Sequence, residues 1–122
     1  MSNPATEKAV KVIKLARPVR LHDKTYAEVK LREPTGGLYA KLGEPRLMIY
    51  NPTGSGYYIE QNDVINAYLE KLIDFEFGGE VMFCLLSLED AKMVREGLFD
   101  FFEKAGANVL ARLSTSSSSA SA

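Results

Sequence analysis

Few residues of this chain could do covalent or acid–base chemistry, and their spacing decides what each could do. His22, the single histidine, stands beside Asp23, an arrangement that could serve as a base and its orienting carboxylate. Such a base needs a nucleophile within hydrogen-bond reach, and no serine or cysteine lies near it in the chain. His22-Asp23-Lys24 sits between two segments of strand character, so a solvated turn accounts for the pair. Cys84, the single cysteine, is embedded in Val-Met-Phe-Cys-Leu-Leu, where a thiol is expected to be buried as a small hydrophobe. One cysteine excludes an intrachain disulfide, and one cysteine with one histidine is too few for a zinc site. Glycoside hydrolysis needs two carboxylates facing across a cleft, whereas Glu89-Asp90 and Asp100 with Glu103 sit where exposed helix positions are expected. Gly54-Ser55-Gly56 lacks the lysine and the following helix of a phosphate cradle. No catalytic residue, metal ligand or cofactor is expected, and the chain reads as a non-enzyme.

Composition points the same way. The 122 residues are 46% apolar and 25% charged, the balance of one soluble globular domain. Fifteen basic against 16 acidic residues leave a net charge of −1, which offers no footprint for nucleic acid or an anionic membrane. No apolar run approaches the ~20 residues of a membrane span and no signal-peptide pattern opens the chain, so a cytoplasmic protein is expected.

The elements that position these residues follow from periodicity. The two strongest helical patterns, Asn62 to Asp74 and Leu88 to Ala105, organise the rest. In the first, Val64, Ile65, Tyr68, Leu69, Leu72 and Ile73 form a wide apolar stripe. The second opens at Ser87, followed three residues later by Asp90, a weakened capping box. Its inward stripe is Ala91, Val94, Leu98, Phe101, Phe102 and Ala105, and Gly106 marks the expected end. Upstream, Val10 to Leu15 reads as a strand broken near Arg17-Pro18, and Tyr26 to Leu31 alternates with Ala27, Val29 and Leu31 on one face. Thr35 caps a short helical turn through Leu38, Tyr39 and Leu42. Leu47 to Tyr50 and Tyr57 to Ile59 flank a turn-rich loop as a second hairpin. Glu80 to Leu86 fits helix or strand, with helix favoured by its position. Residues 1–7 and the Ser-rich 114–122 have nothing to bury and are expected to be disordered, leaving 8–113 as one domain. The architecture expected is α+β, an N-terminal antiparallel hairpin sheet packed against a small C-terminal helical bundle.

Methionine and aromatic residues concentrate in the last third. Leu98, Phe99, Phe101 and Phe102 occupy five consecutive positions, and a helix cannot aim all four into one core. Either a neighbouring loop or hairpin covers the remaining ring, or it belongs to a surface for a partner helix or a second copy. Leu98, Phe99, Phe102, Tyr68 and Met93 are the candidate partner-binding residues.

The segment Val29-Lys30-Leu31-Arg32-Glu33-Pro34-Thr35 carries a resemblance. A hairpin whose second strand ends in Leu-Arg-Glu-Pro-Thr, followed by a small helical domain, resembles the tail assembly chaperones of bacteriophages, the family of the P2-like E protein and its Mu-like counterpart. The similarity runs from about Val12 to about Lys104 and includes Leu42-Gly43-Glu44-Pro45. Arg32, Glu33, Pro34 and Thr35 would then be motif residues with a structural role. The resemblance implies a non-catalytic protein of the host cytoplasm, absent from the mature virion. It would bind the tape measure protein and keep it soluble until the tail tube polymerises around it. A longer frameshifted form would contact the tail tube protein, and a homo-oligomer is possible. Two alternatives stand beside it: a completion or tube-end protein retained in the virion, and a small host protein-binding module.

Overall fold

A computed structural model describes residues 10–120, with side chains to residue 115. The elements run β1 (Val10–Leu21), β2 (Lys24–Arg32), α1 (Gly36–Leu42), β3 (Arg46–Tyr50), β4 (Gly56–Glu60), α2 (Asn62–Leu72), α3 (Gly79–Leu85) and α4 (Leu88–Ala120). The fold is α+β: the antiparallel pair β1–β2 packs against the helices, α4 foremost, and β3–β4 forms a separate two-stranded sheet. Both expected hairpins and the helical reading of Glu80 to Leu86 agree with this order. Residues 1–7, expected to be disordered, lie outside the described residues.

Alternation explains the first sheet. Ile13 and Val29 pair across it and are buried with Leu31 and Val19, while Lys14, Glu28 and Lys30 face solvent. The turn is a two-residue loop in which His22 and Asp23 both have positive φ, 51° and 63°. That is the geometry whose twist matches two antiparallel strands. α4 lies across the sheet at Gly97, where an added Cβ would sit 3.1 Å from Ile13 Cδ1 and 3.3 Å from Leu31 Cδ2. The absence of a side chain there lets helix and sheet approach. α2 supplies the other wall, with Ile65, Tyr68, Leu69 and Leu72 all buried. α3 begins against its end: a Cβ on Gly79 would meet the carbonyl oxygens of Leu69 and Glu70 at 2.6 Å.

The start of α4 ties three elements together. β1 carries four residues between Lys14 and Val19 where β2 has only Ala27 between their partners, a bulge that turns two N–H groups out of the ladder. Ala16 N–H and Arg17 N–H donate instead to the two carboxylate oxygens of Asp90, at 2.8 and 3.0 Å. Ser87 Oγ accepts from Asp90 N–H at 3.2 Å, and its hydroxyl donates to Asp90 Oδ2 at 2.9 Å. The helix starts where the capping pattern places it. Its carboxylate, however, is spent on a strand 73 and 74 residues away rather than on its own first turn.

Two expectations about α4 and α3 are corrected. α4 does not stop at Ala105: it runs through Gly106 to Ala120, 33 residues, and takes in residues 114–120 of the tract expected to be a disordered tail. A glycine ends a helix only when the chain turns left-handed there, and Gly106 keeps negative φ. One helical glycine costs about 1 kcal/mol relative to alanine, which Ala107, Leu110, Ala111, Arg112 and Leu113 as good helix formers offset. Cys84 is exposed, not buried. On α3 the buried positions are Gly79 and Met82, and Cys84, two residues beyond Met82, points about 200° away from it around the helix.

Candidate interaction surface

The five residues expected to bind a partner separate into three environments. Leu98 and Tyr68 are fully buried and Phe99 is 2% exposed, so none of these three forms a free surface. Leu98 points into the core beneath β1–β2. Tyr68 donates its hydroxyl to Gly43 O at 2.6 Å, and burial pushes its pKa up to about 12. Phe99 is covered by the base of the second hairpin, where the Arg46 guanidinium stacks 3.8 Å from the ring centroid. Phe102 is half-buried, its ring 5.3 Å from Tyr68 and 6.1 Å from Tyr39. Met93 alone is more than half exposed.

The motif residues are structural where contacts exist. The Arg32 guanidinium donates to Lys71 O at 2.8 Å, closing the end of α2, and Thr35 Oγ accepts from Leu38 N–H at 3.2 Å as the cap of α1. Glu33 is exposed, Pro34 half-buried. His22 stands in the hairpin loop with its ring 4.8 Å from Phe77. In the same region Glu76 accepts from the Tyr26 hydroxyl at 2.7 Å. That bond, aided by Lys24, holds Glu76 below the ordinary glutamate range. Among the described residues no three of His, Cys, Asp and Glu converge as metal ligands, and no helix is long and apolar enough to cross a membrane.

The apolar surface lies elsewhere, on β3–β4. Leu47, Met48, Tyr50, Tyr57, Tyr58 and Ile59 are all exposed, Tyr50 to 71%. The register pairs Leu47 with Ile59 and Ile49 with Tyr57. Residues paired across a sheet share a face, so these four make one continuous face with no charged side chain. The opposite face carries Arg46, Met48, Tyr50, Tyr58 and Glu60, and its base is what holds the hairpin to α4. Arg46 lies between the rings of Phe99 and Tyr58, at 3.8 and 4.9 Å, and pairs with Glu103 at 3.3 Å. Arg95 pairs with Glu60 and also donates to Asn62 Oδ1. The remainder of the hairpin extends from this anchor. A buried Pro45 and the bond from Gln61 Nε2–H to Glu44 O, 2.7 Å, fix its two ends.

A second uncovered stripe continues along α4. From Glu103 to Thr115 every residue is exposed, with Val109 at 52%, Leu110 at 68% and Leu113 at 58%. At 100° per residue, Phe102, Val109 and Leu113 fall within about 40° of one another. The stripe therefore prolongs the line on which Phe102 packs against the body.

The hairpin surface left a signal in the sequence. Leu-Met-Ile-Tyr and Tyr-Tyr-Ile do not alternate, the pattern of strands apolar on both faces. No protein-family model, curated protein or solved structure matches the chain.

Proposed function

We propose that this chain is a non-catalytic bacteriophage tail assembly chaperone, of the kind its Leu-Arg-Glu-Pro-Thr segment resembles. It binds the tape measure protein in the host cytoplasm, keeps it soluble until tube subunits polymerise around it, and leaves before the virion is complete. The observation that carries this reading is the uncharged, largely exposed face of Leu47, Ile49, Tyr57 and Ile59 on a hairpin anchored at its base. A long helical client offers apolar stripes that aggregate when exposed. A face of aliphatic groups and tyrosines shelters such stripes without demanding one fixed set of polar contacts. Exposed Met48 on the opposite face is an adaptable side chain as well. Contact with the tail tube protein belongs to the longer, frameshifted form.

Co-expression with the neighbouring tape measure gene tests the reading. Soluble tape measure protein is expected to rise several-fold with the chain present, and to fall back when Tyr57→Asp and Ile59→Asp are combined in a chain that still folds. Equal solubility without the chain, or full solubility with the double variant, would refute it. Mass spectrometry of purified virions is expected to find no copies. A fixed number of copies per particle would make the chain a retained tail component.

A further inference from the structure

β4 lacks a neighbour on its outer side. The bonds Gln61 N–H to Pro45 O and Asn51 N–H to Ser55 O, 2.9 and 2.8 Å, bracket the β3–β4 ladder. In an antiparallel pair the mutually bonded residues alternate, so the inward-facing backbone groups belong to Leu47 with Ile59 and Ile49 with Tyr57. The N–H and C=O groups of Gly56, Tyr58 and Glu60 therefore point out of the sheet. Every residue of β4 is exposed, and among the described residues no strand lies beyond it. The edge carries no proline, lysine or bulge, the usual devices that keep an edge strand from pairing.

We infer that this edge pairs with the same edge of a second copy, antiparallel and centred on Tyr58. Three features select a copy of this chain over a foreign strand. The outward groups are symmetric about Tyr58, so a twofold axis sets Tyr58 against its counterpart and Gly56 against the other copy's Glu60, each N–H meeting a C=O. Glu60 is the strand's single charged residue and falls opposite a glycine. Its counterpart lies on the far side of the axis, about 13 Å away along the strands, so no like charges face. The pairing also continues the ladder already formed by β3–β4 and sets the two uncharged faces side by side on the side away from α4. A ladder this short covers far less than the ~800 Å² per partner of a standard interface, so the dimer is weak and concentration-dependent.

For the chaperone reading, and resting on it, the dimer supplies width. Strands lie ~4.8 Å apart and a helix is ~10 Å across, so one hairpin is narrower than a helix whereas four strands span ~14 Å. The dimer is then the unit that seats a client helix.

Sedimentation velocity of the purified chain, without any client, reads the dimer independently of that function. The wild type is expected to pass from monomer to dimer as concentration rises. The Tyr58 N–H makes no ladder bond to β3 and more than half of the side chain is exposed. Tyr58→Lys and Tyr58→Glu give up its contact with Arg46 while Phe99, Glu103 and the Arg95–Glu60 pair still hold the hairpin base, and circular dichroism checks that each keeps the fold. Each sets like charges face to face on the axis and is expected to weaken dimerisation at least tenfold, while an equimolar mixture of the two restores it. A wild type monomeric at every concentration overturns the inference, as does a dimer that survives either variant or a mixture that fails to restore it. Loss of the dimer in Leu113→Glu but not in Tyr58→Lys also overturns it, because the contact then belongs to the stripe on α4.

Discussion

The two hairpins of this molecule meet opposite fates. β1–β2 alternates, buries Ile13, Val19, Val29 and Leu31, and has α4 across it. Each of its outer edges is tied to the body at one place: β1 by the bulge held on Asp90, β2 by the bridge of Leu31 to Ile73 and the bond from Asp74 N–H to Lys30 O. β3–β4 does not alternate, keeps its apolar face in solvent and leaves β4's edge open. A sheet apolar on one face buries that face against its own chain, while one apolar on both faces keeps apolar groups in solvent.

Deleting core volume separates the two regions most sharply. Leu98→Ala removes a fully buried side chain beneath the first sheet and is expected to lower unfolding stability by about 2–5 kcal/mol. Ile59→Ala, on the uncovered face, is expected to change it by no more than about 0.5 kcal/mol. Urea denaturation of the two variants measures the contrast, and equal losses would erase the distinction between body and arm.

Acid sharpens the same contrast, because the body hairpin depends on a carboxylate. Ala16 N–H, with Arg17 N–H and the Ser87 hydroxyl, holds Asp90 below the ordinary aspartate range despite the opposing effect of its burial. A depressed folded-state pKa stabilises the fold above the unfolded value, about 4, and that stabilisation is lost as pH falls through the folded value. Asp90→Asn is expected to lower the urea midpoint at neutral pH and to remove part of its decline below about pH 4. An unchanged acid limb would dissociate Asp90 from that decline.

Turn chemistry gives a smaller effect of opposite sign. Asp23 sits at φ 63° in the β1–β2 loop. Asp23→Gly is expected to stabilise the chain by about 0.5–1 kcal/mol, read as a higher Tm, because glycine adopts that geometry without the penalty of a side chain. Arg95→Ala at the base of the arm has a small cost to global stability. A partly exposed ion pair contributes about 0–1 kcal/mol, so Tm is expected to hold nearly constant while amides of 46–60 exchange faster.

Much of the body was legible because its signals are local. The alternation of Tyr26 to Leu31, the stripe of α2 and the Ser87-x-x-Asp90 start of α4 each depend on residues a few positions apart. The partners of those elements are not local. Nothing near Asp90 in the chain shows that its carboxylate is taken by Ala16 and Arg17. The sequence leaves the extra ring of α4 to a covering loop or hairpin or to a free surface, and what decides it for Phe99, Arg46, arrives from the second hairpin. Leu98 and Tyr68 failed as surface residues for the same reason, being enclosed by elements distant in sequence. Gly106 is a statistical stop signal that acts only through a left-handed turn, which this helix does not make. The uncovered hairpin was written in the lack of alternation from Leu47 to Tyr50, a pattern whose meaning depends on whether anything packs against it.

Hydrogen–deuterium exchange of the chain, alone and with co-purified tape measure protein, tests most directly whether the arm is the gripping element. That role predicts fast exchange across 46–60 in the free chain and strong protection there in the complex, with β1, β2 and α2 unchanged. Protection confined to other segments, with 46–60 exchanging as fast as before, would contradict it.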